Sequence, residues 1–167
     1  MSHRNGSQNR DRDRDRERAD PPPSADISVI IQGDIREGTA ACLASVGEYL
    51  PAAEVILATY ENAEPPAGFH GRLIRVADPG DQPPFTRNPR AVRSNMNRQI
   101  ATTCAGLAAA SRPLALKLRS DARLTSDALP RLFAEARAAD PARSRLIVPS
   151  FFTRNPRGSK AKAIDEQ

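Results

Sequence analysis

The sequence predicts a Rossmann-like α/β fold in which helices flank a mostly parallel sheet. Short β-branched segments alternate with longer segments whose apolar residues recur at helical spacing, in the order β-α-β-β-α-β-α-β. The first β-branched segment, I-S-V-I-I-Q at 27–32, lacks strict alternation of apolar and polar residues. Such a segment is typical of a parallel strand that is covered on both faces. Right-handed crossovers would then place the helices on the faces of the sheet.

The first 24 residues are predicted to be a disordered tail. Residues 11–18 alternate Asp or Glu with Arg, and a Pro-Pro-Pro triplet follows at 21–23. A segment of this composition cannot bury enough apolar surface to offset the entropy that is lost on ordering it. The folded domain is therefore predicted to span residues 25–157, with an irregular C-terminal tail at 158–167.

Local signals place the elements of the first half. Residues 37–50 carry apolar side chains at helical spacing, and Pro51 ends that helix. Strands are predicted at 54–59 and at 72–76, on either side of a loop that Pro-Pro-Ala-Gly marks at 65–68.

The second half begins with a proline-rich, irregular loop at 77–94. A helix at 95–110, a strand at 114–118, a helix from the Thr-Ser-Asp cap to residue 138 and a strand at 145–148 follow. The first of these helices is predicted to turn one stripe toward the core, namely Met96, Ile100, Thr103, Cys104 and Leu107. The second is predicted to bury Leu129, Leu132, Phe133 and Ala136.

Composition argues against several function classes. The net charge of +5 is spread along the chain and aromatic residues are only 4%, so no stacking platform for nucleic acid is indicated. Cys42 and Cys104 are predicted to be buried free thiols of a reducing compartment, and neither they nor His3 and His70 have metal-ligand spacing. No apolar run approaches the roughly 20 residues of a membrane span and no signal peptide is recognised, so a cytoplasmic protein is expected.

Each predicted strand ends in polar groups or is followed by them. They are Gln32, Gly33, Glu61, Asp78, Lys117, Arg119, Ser120 and Asp121, to which the start of the helix at 95–110 adds Asn97 and Arg98. Because the carboxyl ends of parallel strands share one edge of the sheet, these groups are expected to converge on one crevice. The helix N-terminus would favour an anion there, and Arg98 would favour a phosphate further.

These residue types indicate a site for a nucleotide that carries a diphosphate. Glu61 or Asp78 can accept hydrogen bonds from a base or ribose, and the lysine and arginine side chains can neutralise phosphate. Asp121 can hold a divalent cation, which prefers oxygen ligands. Charged residues are also common on solvated loops, and the chain has neither a glycine-rich dinucleotide fingerprint nor a phosphate-binding loop motif. From the residues alone, a solvated loop edge stays open as the alternative.

Six segments, taken in order, resemble the WavE family of lipopolysaccharide-synthesis proteins. They are I-S-V-I-I-Q-G (27–33), A-E-V-I-L-A-T-Y-E (53–61), D-P-G (78–80), N-R-Q-I-A-T-T-C-A-G-L (97–107), L-K-L-R-S-D (116–121) and F-F-T-R-N-P (151–156). The resemblance covers about residues 26–157, and the fourth and fifth segments are its most specific part.

The resemblance implies a glycosyltransferase-like protein of the GT-A fold. Such a protein binds a nucleotide-sugar donor and serves lipopolysaccharide or cell-surface polysaccharide synthesis with a glycan or lipid-linked acceptor, in the cytoplasm or at the inner face of the membrane. In GT-A enzymes an aspartate-containing triplet after the fourth strand positions a metal and the sugar diphosphate. By resemblance, Asp121 takes that role, Gln32, Gly33, Glu61 and Asp78 line the nucleotide pocket, and Arg98 lies over it.

The chain departs from the GT-A pattern in two ways. Its triplet is Arg119-Ser120-Asp121, so Arg119 could itself neutralise the diphosphate in place of a Mn or Mg ion. The aromatic-rich acceptor-side region that the resemblance leads us to expect does not follow Pro156. Because that region usually supplies the general base of inverting GT-A enzymes, no catalytic residue is assigned, and the chain is expected to be a truncated product.

Three function hypotheses remain. The leading one is a nucleotide-sugar-binding domain of a polysaccharide glycosyltransferase. The alternative is a catalytically inactive binding or regulatory remnant of such an enzyme. The third, a nucleic-acid-binding protein, rests only on the basic charge and is not favoured.

Overall fold

The structure is a computed structural model that describes residues 20–80, 95–139, 141–142 and 146–147. The chain divides into two compact units, Asp20–Leu132 and a second unit that includes the described residues from Phe133 onward. Most of the predicted tail at 1–24 and all of the predicted C-terminal tail at 158–167 lie outside the described residues. The same holds for half of the predicted strand at 145–148 and for most of the loop at 77–94.

The larger unit is built on a four-stranded, entirely parallel sheet in the order β3-β2-β1-β4. The strands are β1 (Ile27–Gln32), β2 (Glu54–Tyr60), β3 (Arg72–Val76) and β4 (Leu114–Arg119). Each lies within one residue of its predicted bounds. The prediction of a Rossmann-like α/β fold is therefore confirmed.

One face of the sheet carries the main hydrophobic core. Helix α1 (Thr39–Tyr49) contributes its buried residues Cys42 and Val46 to this core. They pack with alternate residues of the central strand, Ile27, Val29 and Ile31. The burial of Cys42 confirms that prediction, and every residue of β1 is buried, as expected for a strand covered on both faces.

The other face is covered by helix α2 (Met96–Ala109), which approaches the sheet closely. A Cβ atom added at Gly106 would lie 2.3 Å from Ile30 Cγ2 and 3.3 Å from Ala58 Cβ. Thr102, one turn earlier, is fully buried. Small residues therefore form the face of α2 that contacts β1 and β2.

The prediction for the core face of α2 is wrong. Met96, Ile100 and Leu107 are 49%, 52% and 46% exposed, and Cys104 is exposed rather than buried. Thr103 is only half-buried. The reason is steric, since a helix lying this close to the sheet must turn its smallest side chains inward. The apolar stripe is consequently rotated away from the sheet.

Helix α3 spans Ala128–Ala139. Within the larger unit, Leu129 packs against the core as predicted, whereas Leu132 is 49% exposed and that part of the prediction is wrong. Phe133 and Ala136, which lie in the second unit, are half-buried. None of the helices in the described part of the chain has the length and apolar character that crossing a membrane requires.

Candidate functional site

The carboxyl ends of the strands and the start of α2 surround an open, polar cavity of about 520 Å³. Its lining consists of Gln32, Gly33, Asp34, Arg36, Tyr60, Glu61, Asn62, Asp78, Asn95, Arg98, Gln99, Arg119, Ser120 and Asp121. Among these residues are four carboxylates and three guanidinium groups. The volume is within the roughly 300–1,000 Å³ that small-molecule sites occupy.

Eight of the ten residues that the sequence predicts at this edge of the sheet line the cavity, and Asn97 and Lys117 do not. Asn97 is half-buried on α2. Lys117 lies on β4 two residues before Arg119; burial, and then repulsion from Arg119, lower its pKa. The part that each lining residue plays in binding stays a prediction.

The ends of β1 and β4 are joined through Ser120, which is buried. Its backbone N–H donates to the carbonyl of Gln32 (3.0 Å), and its hydroxyl donates to the carbonyl of Asp34 (2.6 Å). Gly33 fits between them with φ +119°, and a Cβ atom there would lie 3.2 Å from Ser120 Oγ. This junction fixes the backbone of Arg119 and Asp121 on either side of Ser120.

Asp121 is held by two arginines. Arg119 donates through Nε to Oδ1 (2.8 Å) and through Nη2 to Oδ2 (2.6 Å) of the carboxylate. Arg36 Nη1 lies 3.7 Å from Asp121 Oδ2. The hydrogen bonds from Arg119, its positive charge and that of Arg36 lower the pKa of Asp121, so the carboxylate is ionised near neutral pH.

Arg36 is the one arginine of the cavity lining that the sequence analysis did not identify. It lies in the turn between β1 and α1, where its backbone N–H donates to Thr39 Oγ1 (2.9 Å) and its carbonyl accepts from Thr39 N–H (2.9 Å). Thr39 is fully buried, so the turn is held firmly. The sequence signal that could have identified it is a basic residue two positions after Asp34, in the turn that follows β1.

A second carboxylate–arginine pair closes the cavity on the side of β3. Arg98 donates through Nε to Asp78 Oδ1 and through Nη2 to Asp78 Oδ2, both at 2.7 Å. Gly80 N–H donates to the same Oδ1 (2.9 Å), which is the turn that Asp-Pro-Gly favours. Arg98 first, and then Gly80, lower the pKa of Asp78.

Gln32 forms a buried polar part of the lining. It is 3% exposed, and its Oε1 accepts a hydrogen bond from Thr102 Oγ1 (2.9 Å). The same hydroxyl lies 2.8 Å from the carbonyl of Arg98, so its single proton serves one of the two acceptors. Thr102 thus connects the first turn of α2 with the end of β1.

The residues around Asp121 do not fit a divalent cation well. Within the described ranges, no three His, Cys, Asp or Glu side chains are grouped to hold a metal ion. Both oxygens of Asp121 already accept hydrogen bonds from Arg119. A cation at that carboxylate would compete with Arg119 for these oxygens and would be repelled by the two neighbouring guanidinium groups.

Cys42 lies beside Arg119 and Asp121, but its thiol is not a nucleophile. Its thiol donates to the carbonyl of Arg119 at an S···O distance of 3.6 Å. Burial, together with the charge of Asp121, raises its pKa to about 11. The thiol is therefore neutral at physiological pH, and only thiolates react readily.

Comparison with known families identifies a match over most of the chain. A family model described as WavE lipopolysaccharide synthesis matches residues 27–161. The matched range includes every strand of the sheet and every residue that lines the cavity. The resemblance seen in the sequence is thereby confirmed. No curated protein and no solved structure matches the chain.

Proposed function

The chain belongs to the WavE lipopolysaccharide synthesis family, and on this basis we propose that its cavity binds the nucleotide-sugar donor of a glycosyltransferase. Membership supports a role in lipopolysaccharide synthesis. The donor site, the sugar transfer and a GT-A-like fold are the finer parts of the proposal. The proposal also includes a location in the cytoplasm, at the inner face of the membrane, and a glycan or lipid-linked acceptor.

The observation that carries the proposal is the convergence of Arg36, Arg98 and Arg119 on one cavity at the carboxyl ends of a parallel sheet. Ligands of open α/β sheets bind at this edge. Guanidinium groups recognise phosphate through paired, charge-assisted hydrogen bonds. A diphosphate that carries a nucleoside and a sugar supplies phosphate groups for these three arginines and has a size that suits the cavity.

We assign the remaining lining residues to the nucleoside and the sugar. Gln32, Gly33, Glu61 and Asp78 lie toward β1, β2 and β3 and offer carbonyl, amide and carboxylate groups to a base and ribose. Transfer would proceed by displacement at the anomeric carbon, where the bond to the acceptor oxygen forms as the bond to the nucleoside diphosphate breaks. The predicted role of Asp121 as a ligand of Mn or Mg remains the least supported part, because both of its oxygens bind Arg119.

Thermal unfolding of the full chain tests the proposal. The chain is melted alone and with UDP-, GDP- and CDP-sugars, each with and without manganese. A ligand present at about 100 times its dissociation constant adds roughly 2.7 kcal/mol, which raises the midpoint measurably. A shift with one nucleotide class is expected. The shift should disappear in Arg98→Ala and persist in Arg131→Ala, a matched control on α3 outside the cavity.

The alternative function is a binding or regulatory protein without transfer activity. It is favoured by one observation, which is that arginines lower the pKa of Asp78 and of Asp121. A carboxylate whose two oxygens both accept hydrogen bonds from an arginine is held in its ionised form and is a poor general base. Donor binding without transfer to an added acceptor and without donor hydrolysis would establish this alternative, whereas turnover above the level of a sample without the protein would exclude it.

A further inference from the structure

We propose that the cavity binds the diphosphate of its ligand without a divalent cation, and that Asp121 is a positioning residue which holds Arg119 and Arg36 ready for the phosphates. The inference rests on the proposed function and deepens it. It gives Asp121 a different part from that of a metal ligand, and it gives Arg36 a part that the sequence did not suggest.

The geometry of the three side chains carries the inference. The bonds from Arg119 to Asp121 use Nε and one hydrogen of Nη2. A guanidinium group has five N–H donors, so further donors of Arg119 remain for a second acceptor. Arg36 meets the same carboxylate from the turn before α1, at 3.7 Å. Asp121 thus brings two guanidinium groups together on one carboxylate, within one cavity.

The backbone supports these side chains rigidly, while the side chains themselves stay accessible. Ser120 is tied to the carbonyls of Gln32 and Asp34, so the main chain of Arg119 and Asp121 cannot drift. The side chains of Arg36 and Arg119 are 56% and 57% exposed. A diphosphate can therefore reach both guanidinium groups without a change in the backbone.

Electrostatics favours the arginines over a divalent metal ion as the groups that bind phosphate beside Asp121. An ion pair between exposed side chains is weak, so Arg36 and Arg119 can share their donors between Asp121 and a more highly charged phosphate. Phosphate matches the planar guanidinium fork better than it matches a point charge. A divalent cation would compete with two guanidinium groups for Asp121, the carboxylate that follows β4.

Isothermal titration calorimetry of the full chain with UDP, GDP, CDP and inorganic pyrophosphate tests the inference. Each probe is titrated in EDTA and again in manganese chloride. We expect at least one nucleoside diphosphate to bind equally well under both conditions. Its affinity should fall by roughly tenfold to a hundredfold in Arg119→Ala, as the loss of charge-assisted hydrogen bonds predicts.

Two further variants separate positioning from metal ligation. Asp121→Asn should weaken binding to the same extent in EDTA and in manganese, because the carboxylate acts through Arg119 and Arg36. Arg36→Gln should weaken nucleoside diphosphate binding but leave the affinity for the bare nucleoside unchanged. Since Arg36 lies in an exposed turn, this variant keeps the test valid even if Arg119→Ala fails to fold.

The opposing results are distinct. Binding that occurs only in manganese and is lost in Asp121→Asn would overturn the inference and leave the proposed function intact. Absence of binding by every nucleoside diphosphate, with and without manganese, would overturn the proposed function and the inference with it. Arg131→Ala should bind like the unaltered chain in all cases.

Discussion

Gly33 has a backbone conformation that constrains the site. Its φ of +119° is a conformation that side chains with a Cβ rarely adopt, and an added Cβ would lie 3.2 Å from Ser120 Oγ. Because Ser120 also holds the main chain of Arg119 and Asp121, a shift of the backbone at Gly33 would move these two residues as well. A small residue in a strand-end turn thus determines where the charged groups lie.

We expect Gly33→Ala to lower the free energy of unfolding by about 1–3 kcal/mol, the cost of one strained backbone conformation. Urea denaturation measures this cost. Gly47→Ala is the matched control, since Gly47 lies inside α1 with no neighbouring atom within 4 Å of an added Cβ. That control should be stabilised by about 0.4–1 kcal/mol. Equal stability of Gly33→Ala and the unaltered chain would contradict the role assigned to Gly33.

At the scale of elements, α2 shows both what the sequence predicts and where it fails. Its bounds follow from the polar start and from Pro113 beyond its end, and the structure agrees within one residue at each end. Its orientation does not follow, because periodicity identifies an apolar stripe without saying how closely the helix approaches the sheet. Gly106 and Thr102, which periodicity ignores, set that distance and therefore the rotation of the helix.

In the candidate site, too, the sequence predicts some residues and misses others. Residues that end strands, such as Gln32 and Asp78, could be predicted because parallel topology brings strand ends to one edge. Arg36 could not, because it lies in a turn and reaches Asp121 only through tertiary geometry. Nor does the sequence reveal that Arg119 binds Asp121 rather than leaving it open to a cation.

The close approach of α2 predicts a specific coupling between Gly106 and Ile30. Gly106→Ala would force its Cβ to within 2.3 Å of Ile30 Cγ2, and Ile30 is fully buried in the central strand. Overpacking of this kind typically costs about 1–3 kcal/mol. Ile30→Ala alone should also destabilise the chain, by about 2–5 kcal/mol, through the cavity that it leaves.

The double variant Gly106→Ala with Ile30→Ala provides the control. Because the methyl group added at Gly106 enters the space that the Ile30 side chain vacates, the double variant should be more stable than the sum of the two single effects predicts. Residues in contact commonly show coupling of about 0.5–3 kcal/mol in such a cycle. Strict additivity in urea denaturation would mean that α2 does not lie this close to β1.

At the scale of the whole molecule, ionised carboxylates join elements that are distant in sequence. Glu54 accepts hydrogen bonds from Ser28 Oγ and from both the N–H and the hydroxyl of Ser111, which lower its pKa and tie β1 and β2 to the segment before β4. Asp78 links the end of β3 to α2 through Arg98, and Asp121 links β4 to the turn before α1 through Arg36. Every one of these carboxyl groups has a lowered pKa.

The lowered pKa values predict how stability depends on pH. A carboxyl group whose pKa is lower in the folded state than in the unfolded state stabilises the fold above its ordinary pKa, 3.8 for Asp and 4.5 for Glu. That stabilisation is lost as the pH falls from about 4.5 through the lowered values, because the unfolded chain binds protons first. Urea denaturation from pH 7 downward should therefore show little change until about pH 5 and a steady loss below it.

Glu54→Gln is the informative variant for this profile, because glutamine keeps a carbonyl acceptor for Ser28 and Ser111 but cannot titrate. It should be less stable than the unaltered chain at pH 7, and the difference should shrink as the pH falls, since protonation makes the two chains alike. Glu135→Gln, at an exposed position of α3, should follow the unaltered chain throughout. A difference that stays constant down to acid pH would show that Glu54 contributes through packing alone. In that case the charges would not be what holds the distant segments of the sheet together.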